Sequence, residues 1–347
     1  MLIVTLLICF FASLGLTPFI KKFALAIGAV DRPSDRKVHA TMMPRLGGLA
    51  IFISFILGIL IAHPPDQTVW PIVLGASVII LTGILDDKIE LSPKLKLLGQ
   101  IAAALIIVFM GDIQVNFINL PFNGRLELEW FSVPVTVIWI LAITNSINLI
   151  DGLDGLAAGV SSIVFITISI MALIMGDMFV LIIASVALFS TLGFLFHNFY
   201  PAKIFMGDTG ALFLGFIIAV VSLLGFKNVT MFSLVVPVII LGVPISDTIF
   251  AIIRRIVHKQ PISLADKSHL HHCLLRFGFS HQKTVLIIYA MSSVFGLAAI
   301  IFSTSTLWGS IIILALLTIG IELVVETVGL VSQNYKPVLN AIKRPHK

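Results

Sequence analysis

The chain has 347 residues, of which 59% are hydrophobic and only 11% are charged. Soluble globular proteins carry about 25% charged residues, so this chain has too few to cover a surface that faces water. The composition excludes an ordinary soluble domain. The net charge of +5 gives no indication of a nucleic-acid partner.

Long apolar blocks recur from one end of the chain to the other. A helix that crosses a bilayer needs about 20 apolar residues, and we identify eleven blocks of roughly suitable length. We therefore predict an all-α polytopic membrane protein with about eleven transmembrane helices, in one domain over residues 1–347. The predicted spans are 1–20, 46–62, 70–85, 97–110, 133–148, 157–175, 179–196, 211–225, 231–253, 284–302 and 307–329.

The basic residues indicate how the chain is oriented. Alternate loops on one side contain 20 of the 22 Lys and Arg residues, and cytoplasmic loops of membrane proteins are enriched in these residues. We predict that the N-terminus lies outside and the C-terminus in the cytoplasm. Most acidic, Asn and His candidates share the cytoplasmic side, which favours an enzyme over a transporter with charges near the bilayer midplane. The predicted cytoplasmic active-site loops are 21–45, 86–96, 149–156, 197–210 and 254–283.

Two adjacent carboxylates, Asp86 and Asp87, end the third apolar block. Carboxylates at a helix C-terminus oppose the helix dipole, and neighbouring carboxylates repel each other unless a cation is near. Lys94 and Lys96 follow closely and are candidates for that cation and for contacts to phosphate. Taken alone, an Asp-Asp pair is more often an ordinary start of a loop than a functional site.

The segment NSINLIDGLDGLA, residues 145–157, repeats Asn or Asp every three residues. On a continuous α-helix this spacing rotates each side chain by about 60° from the last. Convergence of Asn148, Asp151 and Asp154 therefore requires a break, which Gly152 and Gly155 permit. Such a polar cluster in apolar surroundings favours a functional site over a simple turn.

The segment FMGDTG places Asp208 directly before the eighth apolar block. By itself Asp208 is equally consistent with a helix cap. Together with Asp154 and the Asp86–Asp87 pair it indicates a Mg²⁺ site, because Mg²⁺ is often held by one or two carboxylates and substrate phosphates. Mn²⁺ is an alternative ion.

Three histidines, His269, His271 and His272, lie in a loop whose apolar residues recur at helical spacing. The spacing predicts a short amphipathic helix at the membrane surface. No fourth ligand is spaced for zinc, so contacts to a diphosphate are the favoured role, with unused surface histidines as the alternative. Arg45, in the first basic loop, is a further candidate for phosphate binding.

The ordered motifs DDK, NxxNLIDGLDGLA, NFYPAKIFMGDTG and SHLHH resemble the polyprenyl-phosphate N-acetylhexosamine-1-phosphate transferases over essentially the whole chain. The PRLGGLAIF and SHLHH segments look most like the Gram-positive branch that begins teichoic acid linkage synthesis. The resemblance implies transfer of GlcNAc-1-phosphate from UDP-GlcNAc to undecaprenyl phosphate in the bacterial cell membrane, with release of UMP and dependence on Mg²⁺. The alternatives are a phospho-MurNAc-pentapeptide translocase and a transporter of lipid-linked sugars, and a homodimer is left open.

The resemblance also implies roles for individual residues. It assigns Asp86, Asp87 and Lys96 to catalysis, and Asp208 and Asp154 to the metal ion. Some relatives have Lys three places after the second Asp of the pair, where this chain has Glu90, so that role passes to Lys94 or Lys96. The substrate-binding residues that it implies are Asn148, Asp151, Gly152, Leu153, Phe205, His269, His271 and His272, with Lys94 and Arg45.

Overall fold

The computed structural model describes residues 1–31, 42–64, 66–120, 124–225, 234–257, 259, 268–330 and 336–343. The basic segment 32–41 of the first predicted loop and residues 260–267 before the histidines lie outside the described residues.

Helices make up most of the described chain, joined by short connections. Two small antiparallel pairs accompany them, β1 (Val30–Asp31) with β2 (Met43–Pro44), and β3 (Phe117–Leu120) with β4 (Gly124–Glu127). A 3₁₀ turn at Glu129–Phe131 precedes α5. The helices are α1 (Leu2–Ile27), α2 (Gly47–Ala62), α3 (Val69–Ile89), α4 (Pro93–Met110), α5 (Ser132–Ile150), α6 (Leu156–Met175), α7 (Met178–Asn198), α8 (Gly207–Gly225), α9 (Val235–Ile240), α10 (Gly242–Val257), α11 (Leu270–Arg276), α12 (His281–Thr304), α13 (Leu307–Val328) and α14 (Pro337–Lys343).

Among the described residues, nine helices are long and apolar enough to cross a membrane. These are α1, α3, α4, α5 with its preceding turn, α6, α7, α8, α12 and α13. Helices satisfy their own backbone hydrogen bonds, as a hydrocarbon environment requires. The prediction of an all-α polytopic membrane protein is therefore confirmed. The predicted number of eleven spans is not confirmed. One of the predicted spans corresponds to α2, which has only 16 residues and is shorter than the nine candidate spans.

The predicted span 231–253 is wrong as a single helix, because its described part divides into α9 and α10 at Leu241. Pro244 explains the break. Proline has no N–H to donate to the carbonyl of Ile240, and its ring would collide with that carbonyl in a continuous helix. In the first turn of a new helix the missing N–H is tolerated, so α10 begins at Gly242.

Helix α8 forms the centre of the molecule. Its residues from Gly207 to Leu223 are almost all buried, and α2, α3, α5, α6 and α7 pack around it. Large apolar side chains point outward from peripheral helices, among them Phe19 on α1 and Leu316 on α13. This arrangement matches a bundle whose outer surface contacts lipid.

Glycines bring the start of α8 very close to two neighbouring helices. A Cβ added at Gly48 on α2 would lie 2.1 Å from the Cα of Gly210, and one added at Gly83 on α3 would lie 2.4 Å from the Cα of Thr209. Both contacts involve backbone, which cannot move aside as a flexible side chain can. Glycine at these positions therefore permits α2 and α3 to pack against the start of α8.

We predict that Gly48→Ala destabilises the protein strongly. Overpacking usually costs about 1–3 kcal/mol, and the backbone contact places this change at or above the upper end. Thermal unfolding in detergent measures the effect. Gly320→Ala is the control, because a Cβ added at Gly320 meets nothing within 4 Å. Equal unfolding temperatures for the two variants would contradict the prediction.

Candidate functional site

The carboxylate of Asp87 connects the end of α3 to the beginning of α8. It accepts hydrogen bonds from the backbone N–H of Asp208 at 2.9 Å and of Thr209 at 3.0 Å, and from Thr209 Oγ1 at 2.6 Å. The N-terminus of a helix has unpaired N–H groups and a positive dipole end, and both favour an anion. The positive end of the α8 dipole thus offsets the unfavourable interaction of Asp87 with the dipole of α3. Both carboxylate oxygens of Asp87 accept hydrogen bonds.

Room for this carboxylate depends on Gly207. A Cβ at this position would lie 2.4 Å from Asp87 Oδ2, and the backbone of Gly207 has φ +72°. Only glycine adopts this conformation at little cost. The spacing of the FMGDTG motif therefore has a structural cause, since glycine must directly precede Asp208.

Lys96 joins three of the sequence motifs. Its Nζ lies 2.9 Å from Asp86 Oδ2, 2.5 Å from Asp208 Oδ1 and 3.2 Å from Asn148 Oδ1. Asn148 also donates to Asp208 Oδ1 at 2.5 Å. The predicted need of the acidic pair for a nearby cation is thus met by Lys96. Lys94, by contrast, is exposed in the first turn of α4.

These residues stand beside a cavity of about 460 Å³. It is bounded by the ends of α5 and α7, the start of α8 and the connection between α5 and α6. The sequence-predicted residues that line it are Arg45, Asn148, Asp151, Gly152, Leu153, Asp154, Phe205 and Asp208. Asp31, Asn198, Tyr200 and His281 also line it and were missed by the sequence analysis.

The predicted break after Asn148 occurs at the end of α5. The helix continues through Ile150, and Gly155 precedes α6 with φ +75°. Asp154 faces the cavity, where its Oδ2 accepts from the backbone N–H of Ala202 at 2.9 Å. Its own N–H donates to His281 Nε2 at 3.0 Å, and the His281 ring lies 4.6 Å from that of Tyr200.

Asp151 is a cavity residue with an altered ionisation. Its pKa is raised to about 7, chiefly by burial and also by the charges of Asp208 and Asp87, which the charge of Arg45 partly offsets. A neutral carboxylic acid can donate a hydrogen bond as well as accept one. Near neutrality Asp151 is therefore present in both forms.

The segment PRLGG is joined to FMGDTG through the backbone. Phe205 donates its N–H to Pro44 O at 2.9 Å, and Gly47 donates to Phe205 O at 3.0 Å. Arg45, which lies between these contacts, reaches Asp31 Oδ1 with Nη2 at 3.4 Å. This pairing places Arg45 and Phe205 on the same cavity.

The three histidines do not line the cavity directly. His269 Nδ1 pairs with Asp247 Oδ2 at 2.9 Å. His271 packs against Gly152, where a Cβ would lie 2.3 Å from its Nε2, and the ring of His272 lies 4.2 Å from that of His271. Burial lowers the pKa of His271 to about 3, so its ring is neutral at physiological pH. The predicted short helix is confirmed as α11.

No group of three or more His, Cys, Asp or Glu side chains is arranged to hold a metal ion within the described residues. Asp208 and Asp154 nevertheless line the same cavity, together with Asp31 and Asp151, and Arg45 is the Lys or Arg side chain among the described residues that line it. Two carboxylates with substrate oxygens are a usual way to hold Mg²⁺. The donor set therefore suits an ion that is completed by substrate.

The fold and site define a membrane protein whose polar groups converge where several helices end. Residues 69–226, from the start of α3 to the end of α8, match the family model of glycosyl transferase family 4. A Bacillus subtilis (strain 168) protein named probable undecaprenyl-phosphate N-acetylglucosaminyl 1-phosphate transferase is 51% identical over 346 residues, 99% of this chain and 96% of that protein.

More distant relatives carry different names. A decaprenyl-phosphate N-acetylglucosaminephosphotransferase of Mycobacterium leprae (strain TN) is 34% identical, covering 89% of this chain and 86% of its own. A phospho-N-acetylmuramoyl-pentapeptide-transferase of Staphylococcus aureus (strain Newman) is 32% identical, and the match covers 85% of this chain and 96% of the relative. The chain belongs to glycosyl transferase family 4, which confirms the resemblance found in its motifs.

We predict that Asp151 makes metal-free protein less stable as the pH rises from about 4 to about 7. The unfolded carboxyl ionises near pH 4, whereas the folded one keeps its proton until its pKa of about 7. Across this window the unfolded state therefore binds fewer protons, and stability falls with rising pH. Thermal unfolding in chelator at pH 5 and pH 8 measures the change.

Asp151→Asn is the matched variant because it removes the ionisation and keeps the shape. The difference in unfolding temperature between wild type and variant should be larger at pH 8 than at pH 5, with the variant more stable at pH 8. A difference that does not change with pH would show that Asp151 ionises normally.

Proposed function

We propose that the protein transfers GlcNAc-1-phosphate from UDP-GlcNAc to undecaprenyl phosphate and releases UMP. The observation that carries the proposal is the Lys96 contact with Asp86, Asp208 and Asn148 beside a polar cavity at the ends of the spans. A cavity at the ends of membrane spans suits a reaction between a water-soluble donor and a lipid acceptor. The name of the B. subtilis relative supports undecaprenyl phosphate as the acceptor and N-acetylglucosaminyl 1-phosphate as the transferred group.

In this reaction a phosphate oxygen of the lipid forms a bond to the β-phosphorus of UDP-GlcNAc. The bond between that phosphorus and the bridging oxygen breaks, and the electron pair leaves with UMP. Since donor and acceptor are both anions, catalysis consists mainly of positioning and of neutralising charge. Lys96 is placed to contribute positive charge, because its Nζ already lies among oxygen atoms at the cavity.

The acidic pair is assigned to orientation more than to proton removal. Asp87 holds the start of α8 with both oxygens, and Asp86 holds Lys96 and accepts from the backbone N–H of Leu91 at 2.8 Å. A phosphate monoester has its second pKa near 6, so the acceptor needs little help to ionise. Asp86 and Asp87 thus keep Lys96 and Asp208 in place for the substrates.

Asp208 and Asp154 would hold Mg²⁺, and bound Mg²⁺ would supply further neutralisation of the diphosphate charge. Arg45 and neutral His271 stand beside the same cavity and would bind and enclose the donor. Asn148, Gly152, Leu153 and Phe205 would contact the nucleotide, as the family resemblance implies. The product would begin a lipid-linked cell-wall polymer, and we favour the teichoic acid linkage unit.

Purified protein in lipid nanodiscs, given undecaprenyl phosphate, Mg²⁺ and UDP-GlcNAc, should release UMP and form lipid-linked GlcNAc-1-phosphate. Lys96→Met should lose activity by about 10²–10⁴-fold, as when an electrostatic or acid–base group is removed. Coupled detection of UMP and mass spectrometry of the lipid measure the reaction. UDP-MurNAc-pentapeptide is the competing donor, since the S. aureus relative at 32% identity bears that name.

Turnover of UDP-MurNAc-pentapeptide in place of UDP-GlcNAc would contradict the proposed donor, and absence of UMP with both donors would contradict the proposed reaction.

The distribution of Lys and Arg supports an active site on the cytoplasmic face. Inverted membrane vesicles should therefore release UMP from added UDP-GlcNAc, and sealed right-side-out vesicles should not. Release of UMP by right-side-out vesicles and not by inverted ones would reverse the proposed orientation.

Asp208→Asn and Asp154→Asn should each raise the Mg²⁺ concentration that half-saturates activity, because a carboxylate ligand is replaced by a neutral amide. Binding of Mn²⁺, followed by electron paramagnetic resonance, should weaken in both variants without any need for turnover. Asp177→Asn is the control, since Asp177 only caps α7 through the N–H of Val180. Unchanged ion binding in both cavity variants would leave Asp208 as a helix-terminal residue that pairs with Lys96.

A further inference from the structure

A single carboxylate from α10 holds the beginning of the histidine helix α11. Asp247 Oδ2 lies 2.9 Å from His269 Nδ1, and Asp247 Oδ1 accepts from the backbone N–H of Leu270 at 2.7 Å. Asp247 is 3% exposed and His269 is 5% exposed. The contact joins residues 22 positions apart in the chain and is shielded from water.

This contact supplies what α11 lacks locally. The helix has only seven residues, and its N-cap residue His269 makes no side-chain capping bond of its own. Helices of this length are not stable alone in water, so an external acceptor at the first N–H matters. Because the same carboxylate also binds the imidazole of His269, it determines both where α11 starts and how that ring is oriented.

One residue beyond Leu270, His271 connects α11 to Gly152 in the cavity wall. Its ring packs so closely on Gly152 that an added Cβ would lie 2.3 Å from Nε2, and Gly152 lines the cavity. His271 is 2% exposed, and neither ring nitrogen has a hydrogen-bond partner among the described residues. A buried, unpartnered imidazole is costly, so the close packing of His271 on Gly152 depends on other contacts that hold α11 in place.

We propose that Asp247 is a positioning residue for the nucleotide-sugar site, acting through His269 and Leu270 to hold His271 against Gly152. Asp247 itself does not touch the donor. The proposal rests on the proposed function for its kinetic consequence, but the placement of His271 is independent of which donor is used.

A second buried carboxylate provides a matched control. Glu326 is fully buried and accepts from the backbone N–H groups of Val338 at 2.6 Å and Leu339 at 2.7 Å, at the start of α14. It therefore makes the same kind of contact as Asp247, a carboxylate on the first N–H groups of a seven-residue helix. Glu326 does not line the cavity, so its loss reports on stability without any effect on the donor site.

The first measurement compares Asp247→Ala with Glu326→Ala. Both should lower the unfolding temperature. Only Asp247→Ala should raise the KM of the folded enzyme for UDP-GlcNAc, by about tenfold or more, because His271 would no longer hold Gly152 in position at the donor site. Asp247→Asn should fall between it and wild type, because an amide oxygen can still accept from Leu270. Glu326→Ala should keep its KM within about twofold of wild type.

The second measurement does not depend on turnover. Diethyl pyrocarbonate modifies accessible neutral imidazoles, and mass spectrometry then locates the modified histidine. His271 should react slowly in wild type and in Glu326→Ala, and markedly faster in Asp247→Ala. If Asp247→Ala fails to fold, Asp247→Asn and Asp247→Glu provide the same comparison.

Unchanged reactivity of His271 together with an unchanged KM in a folded Asp247 variant would overturn the proposal. Faster labelling with an unchanged KM would also overturn it, since His271 would then be held by Asp247 without serving the donor. If wild type releases no UMP from UDP-GlcNAc, the proposed function fails instead, and the labelling still decides whether Asp247 holds His271.

Discussion

The contact between Asp87 and the first N–H groups of α8 is the interaction on which the rest of the site depends. It places a buried carboxylate where a helix dipole and three hydrogen-bond donors compensate for its desolvation. It also determines where α8 begins, and therefore where Asp208 stands. With Asp208 in that position, its Oδ1 comes within reach of both Lys96 and Asn148.

The site then follows from a charge imbalance that the fold creates. Asp86 and Asp208 share Lys96, and among the described residues the cavity beside them is lined by four aspartates and by Arg45, which pairs with Asp31. This described lining favours the binding of an anionic substrate together with additional positive charge. This is the physical reason for proposing a divalent cation, and it is independent of the family resemblance. It also explains why Lys96 is tied to two carboxylates before substrate arrives.

The sequence alone predicted much of this arrangement. Placing acidic and amide side chains in apolar surroundings costs free energy. Asp86, Asn148 and Asp208 could therefore be recognised as candidate site residues before their positions in the fold were known. The family motifs implied a catalytic role for Lys96, and the structure adds that all three side chains contact its Nζ. The break at Leu241 was also readable in principle, because Pro244 cannot donate to Ile240, but the apolar character of the block concealed it.

Other parts of the site left no local signal. Asp247 binds His269 across a separation of 22 residues, and no spacing in the sequence indicates that contact. His281 carries no motif that separates it from ordinary residues at a helix end, yet it lines the cavity. Such contacts depend on how α10 and α12 pack, and hydrophobic patterning does not specify that packing. Proximity in space, and not residue type, is what identifies them.

The position of the site at the ends of the helices has a physical cause. Within hydrocarbon a helix satisfies its own backbone groups, so the middle of a span offers a polar ligand nothing but side chains that are costly to bury. The first turn of a helix has N–H groups without intrahelical partners, and here carboxylates use them at α8 and α11. Each such carboxylate is held by backbone that cannot rotate away. A phosphoryl-transfer site requires fixed charges more than mobile ones, and helix ends near the membrane boundary provide fixed charges where soluble and lipid substrates can meet.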